Sequence, residues 1–176
     1  MCESECIRMI LTRRSVREYS QKNVEDEKIK IILKAAMQAP SSRNSQPWHF
    51  IVVKKRDILD EMARIHPYGK MLHRAKAAIV VCADPKLNKS RKMLWPQDCA
   101  AATQNILLAS RCLGIGSVWL GVYPYEDRMR GIAELLGIPE DIVVFSVVSL
   151  GYPLEENAFY EAENRYKKDR IHWDSW

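Results

Sequence analysis

Two short stretches of this chain carry more hydrogen-bonding side chains than ordinary connections need. Pro40-Ser41-Ser42-Arg43-Asn44-Ser45-Gln46-Pro47-Trp48 packs hydroxyls, carboxamides and a guanidinium between two prolines. Each proline fixes its own φ and restricts its predecessor, so the loop is stiff. A stiff loop lined with small donors and acceptors can present polar groups to a planar heteroaromatic ligand. The other reading is a polar turn, because Ser, Asn and Pro favour turns for local reasons. Arg13-Arg14-Ser15-Val16-Arg17 sets three guanidiniums within five residues. With Ser15 they could surround a phosphate, which arginine grips in bidentate fashion. They serve equally as charge partners for the negative end of the preceding helix. That dipole opposes an anion, so side chains rather than helix amides would have to hold a phosphate.

A third stretch, Gly114-Ile115-Gly116-Ser117-Val118-Trp119-Leu120-Gly121-Val122-Tyr123-Pro124, frames a strand of about 117–121 with glycines. Glycine allows the close backbone approach that a flat ligand stacked on main chain requires. The spacing does not continue into the dinucleotide fingerprint, and no strand-turn-helix context surrounds it.

Other chemistries find little support. No paired carboxylates or triad-like arrangement stands out. His49, His66, His73 and His172 are scattered and none pairs with a cysteine at metal spacing, so no metal site is expected. Cys2, Cys6, Cys82, Cys99 and Cys112 are odd in number and sit mostly in apolar sequence, as free thiols of a reducing cytoplasm do. The net charge of +5 is spread among acids, without a basic arm, so local clusters suit a small anion better than nucleic acid. No apolar run is long enough to span a membrane, and the first residues carry Glu3 and Glu5 where a secretory signal would be apolar. At 176 residues, 47% hydrophobic and 28% charged, the chain suits a single domain, or one protomer of an intimate oligomer.

The elements that must position these stretches are read from periodicity. Ile7, Ile10 and Leu11 predict a helix over 3 to about 12. Val24 to Gln38 is the cleanest helix, with Ile29, Ile32, Leu33, Ala36 and Met37 inward, Asn23 as N-cap and Pro40 as terminator. Phe50–Val53 reads as a buried strand, 57–65 as a short helix and Pro67-Tyr68-Gly69-Lys70 as a turn across which Lys70 could approach a ligand. Ala77–Ala83 is apolar throughout, hence a central strand. Asp98–Leu113 is apolar nearly all round, which predicts burial on every side, a second copy being one natural cover. Gln104 and Asn105 would then need partners. Met129, Ile132, Ala133 and Leu136 mark a helix closed by Gly137, and 142–150 a last long strand. The tail from 154 to 176 holds Phe159, Tyr160, Tyr166, Trp173 and Trp176; such side chains want burial, on a neighbour or on the chain itself.

Taken in order, Arg13–Arg17, Pro40–Phe50, Asp98–Leu108, Trp119–Pro124, Leu150-Gly151-Tyr152-Pro153 and Arg170-Ile171-His172-Trp173 resemble the motifs of the FMN-dependent nitroreductase family across essentially the whole chain. The resemblance implies an α+β fold with a mostly antiparallel central sheet flanked by helices. It implies a homodimer with FMN at the interface, each tail (154–176) wrapping the partner, and the whole of 1–176 as one FMN-binding domain. Arg13, Arg14, Ser15 and Arg17 match positions that bind the phosphate, ribityl chain and pyrimidine edge. Pro40, Ser41, Ser42 and Asn44 match positions reaching the flavin from the other protomer, and Gln46 a neighbouring amide. The backbone of Trp119, Leu120 and Gly121 matches the segment facing the isoalloxazine and its N5. Lys70, with Gly69, lies near a flavin-contact position. Arg165 matches a late basic position at the phosphate, where the family often has a second cation at the position held here by Glu163. The activity implied is hydride transfer from NADH or NADPH through flavin N5 to an electron-poor small molecule, such as a nitroaromatic or quinone, in ping-pong fashion, with no catalytic side chain. A non-catalytic flavin-binding or sensory module is the alternative. No nucleic acid or membrane partner is expected.

Overall fold

A computed structural model of the chain describes residues 4–89, 93–161 and 164–176. Cys2, Glu3 and Glu163 lie outside the described residues. At the centre runs β2 (Ala77–Ala83), whose seven residues are all buried. A strand covered on both faces needs no polar side, which is why it reads as an unbroken apolar run. Around it the sheet has the order β1-β2-β4-β3, antiparallel at each pairing, with β1 Trp48–Val53, β3 Gly116–Gly121 and β4 Val143–Gly151.

Alternation along β2 divides the core in two. Ala77, Ile79, Val81 and Ala83 face a layer containing Ile29, Ile32 and Ala36 of α2 (Asp26–Met37) and Cys99, Ala102 and Ile106 of α4 (Trp95–Cys112). Ala78, Val80 and Cys82 face Leu59 and Met62 of α3 (Arg56–Ile65) and Ile132 of α5 (Glu126–Leu136). Successive side chains of a strand point to opposite faces, so one run of seven residues supports both layers. The fold is thus α+β with an antiparallel sheet, as expected.

Several local expectations are corrected. Asn23 does not cap α2: the N-cap position is Glu25, without a side-chain cap bond, and Asp26 and Glu27 in the first turn complement the dipole instead. Met37 is 51% exposed rather than inward, because the buried stripe is the narrower Ile29, Ile32, Ala36 row. The last helix before β3 begins at Trp95, where Pro96 sits in the first turn that tolerates it. Burial of α4 on every side is not what this chain does alone. Its sheet-facing residues are buried, whereas Gln97 and Gln104 are exposed. Asn105 finds its partner by donating to the Ala35 carbonyl at 3.0 Å.

The first helix, α1 (Glu5–Thr12), is capped by Ser4 and leaves Ile7, Ile10 and Leu11 roughly half exposed. Of the tail, residues 152–160 lie on the chain itself: Tyr19 pairs with Pro153, and the Leu154 amide donates to the Glu18 carbonyl at 3.0 Å. Residues 164–176 are exposed throughout. Among the described residues no helix is long and apolar enough to cross a membrane.

Candidate functional site

The arginine-rich segment leaves α1 at Thr12 and runs beside the outer edge of β3. Ser15 bridges to Ser117, and the Val16 amide donates to the Ser117 carbonyl at 3.0 Å. Thr12 holds the corner: it donates to the Arg8 carbonyl at 2.7 Å and accepts two bonds, at 3.0 and 3.2 Å, from Arg111 in the last turn of α4.

The guanidiniums of the segment have different duties. Arg14 donates to the Leu11 and Arg13 carbonyls and lies 4.8 Å from the Tyr160 ring centroid, so it does serve the helix end. Its Nε and Nη2 are nevertheless buried with no partner among the described residues. Arg13 is held below its ordinary pKa by burial first, then by the fields of Arg14 and Arg165. Like charges close enough to feel one another, one of them brought from a distant part of the chain, repel unless an anion joins them. Arg17 donates only to the Ser15 carbonyl, at 3.2 Å, and lines two clefts. One, of about 200 Å³, also takes in Arg14, Ser15 and Tyr160. The other, of about 430 Å³, is lined with Lys70, His73 and Arg74 and with Glu18, which pairs with Arg74 at 3.2 Å and also lines the first cleft with Glu155. The structure therefore gathers Arg13, Arg14, Ser15, Arg17, Lys70 and Arg165 along one side of the chain.

The adjoining edge of β3 adds backbone groups. In an antiparallel ladder alternate residues turn their N–H and C=O away from the neighbouring strand. The Ser117 carbonyl takes the Val16 amide and the Gly121 carbonyl takes His66 and Arg128, so Ser117, Trp119 and Gly121 are the outward set. Leu120 pairs inward with Val147 and its side chain belongs to the core. Trp119 packs its ring on Phe145, 5.8 Å between centroids, leaving its backbone turned outward. Of the three residues expected to face a flat ligand, Trp119 and Gly121 are thus the ones that present main chain.

The proline-bounded loop is built elsewhere. Ser42–Asn44 form a 3₁₀ turn, and Arg43, Asn44 and Gln46 all have φ near +50°. Left-handed backbone at non-glycine residues costs about 1–2 kcal/mol each, so something must hold it. Asp98, buried in the first turn of α4, accepts from the Ser42 amide at 2.9 Å and the Ser45 hydroxyl at 3.2 Å. Ser41 accepts from the Gln46 amide at 3.0 Å, and the Gln46 carboxamide donates to Asn44 at 2.6 Å. Pro40, Asn44 and Gln46 are placed at the surface, Asn44 among the exposed residues.

Asp98 and Arg111 stand at opposite ends of α4, roughly 20 Å apart at a rise of about 1.5 Å per residue. Within one chain, the loop and the arginine segment are therefore separated by most of a helix. Asp98, His66 and Arg128 are the residues here that sequence reasoning did not single out for a site. Asp98 could have been found from the Trp95-Pro96 helix start, which puts a carboxylate in the first turn; His66 and Arg128 left no local signal.

Known proteins share this fold. The family model described as "Nitroreductase family" matches residues 10–68 and 64–152. A protein of Archaeoglobus fulgidus with the provisional name of NADH dehydrogenase/NAD(P)H nitroreductase is 64% identical over 172 residues, covering 98% of this chain and 99% of that relative. A crystal structure of a provisionally named protein of the same kind, from Parabacteroides distasonis, superposes with a TM-score of 0.92 at 41% identity, over 99% of this chain and 100% of the other. An FMN-dependent nitroreductase from Clostridium difficile superposes at 0.87 with 32% identity, over 97% and 99% of the two chains.

Proposed function

Because the chain belongs to the nitroreductase family, we propose that two copies of it clasp FMN and pass a hydride from NADH or NADPH to an electron-poor small molecule. It is an NAD(P)H-dependent flavin oxidoreductase, and its cofactor is FMN. The observation that carries the finer reading is the cluster of Arg13, Arg14 and Arg165 beside an edge of β3 with outward backbone. The cluster is of one sign, and two nitrogens of its Arg14 are buried without partners among the described residues.

The chemistry such a cofactor supplies when bound is hydride uptake at N5 and hydride return to an acceptor. The residues of this chain do the rest. Arg13, Arg14 and Arg165 would neutralise the phosphate, with Ser15 beside them. Arg17 and Lys70, across the larger cleft, would set positive charge toward the pyrimidine edge and so favour a reduced, anionic ring. The backbone of Trp119 and Gly121 would orient the ring. Pro40, Ser41, Ser42, Asn44 and Gln46 are too far along α4 from that cluster to serve it in their own chain; we assign them to the site of the partner. The half-exposed Ile7, Ile10 and Leu11 on α1 and the wholly exposed tail with Trp173 and Trp176 support a second copy as their cover. We take 1–176 as one such domain; the first residues of the tail 154–176 expected to wrap the partner lie on the chain itself, and we assign the part beyond Arg165 to the partner. The free buried thiols of Cys82 and Cys99 suit a cytoplasmic setting.

The test is the absorption spectrum of the purified protein, and then anaerobic titration with each nicotinamide. A yellow dimer bleached by NADH or NADPH, and recoloured by a nitroaromatic or a quinone, is the expected result. Parallel double-reciprocal lines would establish the ping-pong order. A yellow protein that neither nicotinamide bleaches would be a non-catalytic flavin module. A colourless monomer that takes up no added FMN would overturn the reading.

A further inference from the structure

His66 sits at the C-terminal end of α3, 3% exposed, and belongs neither to the arginine cluster nor to the proline-bounded loop. Its Nδ1 accepts the Tyr68 amide at 3.2 Å. A ring nitrogen that accepts carries no proton, so the proton is on Nε2, which donates to the Gly121 carbonyl at 2.9 Å. The same carbonyl accepts a second bond from Arg128 at 3.0 Å, and the Arg128 guanidinium is braced on the Tyr125 ring at 3.8 Å.

Gly121 needs such restraint. A methyl group added to it would touch nothing within 4 Å, so beyond its pairing with Ser146 no side-chain packing restrains it. Glycine has the widest conformational freedom of any residue, and this one ends an edge strand. His66 also fixes the turn on its C-terminal side. The Gly69 amide donates to the His66 carbonyl at 2.8 Å, and a Cβ on Gly69 would lie 2.9 Å from that oxygen. The imidazole itself joins this turn through the Tyr68 amide on Nδ1, so the turn that starts the Lys70–His73 segment is keyed to the same side chain.

We propose that His66 is a positioning residue for the flavin: it locks the outward face of Gly121 and, through the 66–69 turn, the start of the segment that carries Lys70. The role rests on the assignment of FMN to this site. Loss of the ring bonds leaves Arg128 as the remaining side-chain hold on the Gly121 carbonyl and uncouples the end of β3 from the 66–69 turn. Reduced flavin suffers more than oxidised, because its charge depends on donors and cations held in place.

The test compares His66→Phe, which keeps a ring but donates nothing, with His66→Gln, which can still donate to Gly121. The measurements are the FMN dissociation constant, by flavin fluorescence, and the midpoint potential, against reference dyes. His66→Phe is expected to bind FMN about tenfold more weakly, the scale of one lost hydrogen bond. A further tenfold loss of preference for reduced flavin would lower the potential by about 30 mV for a two-electron couple. His66→Gln is expected to restore most of both. A folded His66→Phe with unchanged affinity and potential overturns the role, while wild-type protein that takes up no FMN overturns the flavin reading instead. Should neither variant give a cooperative melt, long-range ¹⁵N–¹H correlation on the FMN-loaded wild type decides. A neutral ring protonated at Nε2 supports the role; a proton on Nδ1 refutes it.

Discussion

The carboxylate of Asp98 accepts the backbone amide of Ser42 at 2.9 Å across 56 positions of sequence, and the Ser45 hydroxyl closes the same carboxylate from the other side at 3.2 Å. One buried acid thereby holds three left-handed residues in a loop that no hydrophobic contact would keep. Replacing it tests whether that loop is preformed for a ligand. Asp98→Ala should cost about 1–3 kcal/mol of stability, the penalty of stranding a buried amide and hydroxyl. It should also weaken FMN binding in the dimer. Asp98→Asn keeps an acceptor and should lose less. Urea unfolding and flavin fluorescence measure the two effects; equal flavin affinity in all three proteins would show that the loop does not reach the cofactor.

Arg13 and Arg17 separate two ends of the proposed site. Arg17 is exposed and bonds only to a neighbouring carbonyl, so Arg17→Ala should leave the apo protein melting as before. FMN binding should fall by roughly tenfold or more, as for a hydrogen bond to a charged group. Arg13→Ala should do likewise and, if the proposed phosphate contact is made, flatten the salt dependence of binding. Equilibrium dialysis at two salt concentrations reads both, and full flavin occupancy in the Arg17 variant would remove that residue from the site.

Burial, with Arg128 adding to it, holds His66 below its ordinary value near 6.5, against the opposing pull of the Gly121 carbonyl and Asp127. The unfolded chain therefore takes up this proton at higher pH than the folded one. The stabilising contribution is complete above about 6.5 and is lost as pH falls from there toward the lowered folded value. Protonation would also set Nδ1–H against the Tyr68 N–H. Urea midpoints of wild type and His66→Gln, measured from about pH 8 to 5, should converge as pH falls. A constant difference across that range would contradict the assignment of a depressed histidine.

Gly116 carries a different constraint. A Cβ there would lie 2.7 Å from Cγ1 of Val16, the residue whose amide ties the arginine segment to β3. Gly116→Ala should destabilise by about 1–3 kcal/mol through overpacking and should loosen FMN as the segment shifts. Thermal melting and flavin binding check it together. An alanine variant with native affinity would mean that the segment can move without harm to the site.

Ile10→Glu, on the half-exposed face of α1, tests the second copy. A dimer covering that face should dissociate and lose flavin with it, because the Ser42 loop and the Arg13 cluster would no longer meet. Sedimentation velocity gives the mass; a yellow monomer would mean that one chain completes the site unaided.

Features that depend only on neighbours along the chain are legible in the sequence alone. The unbroken apolar run Ala77–Ala83 has to be a central strand, since every side chain on both faces needs cover. The prolines at 40 and 47 have to bound a loop, and Arg13 to Arg17 have to be a concentration of charge, because ring closure and charge are properties of the residues themselves. The order of the motifs marks the family. Helix starts are less certain: Asn23 satisfies a local capping preference, yet α2 begins at Asp26, where tertiary packing of Ile29 and Ile32 sets the register. Beyond the reach of sequence lies each contact made between distant positions. His66 and Arg128 share the Gly121 carbonyl, and Asp98 and Arg111 hold the two signature segments at opposite ends of one helix. A buried polar group must find a partner, but nothing in its local sequence says which one. Only the packing of α4 against the sheet decides that.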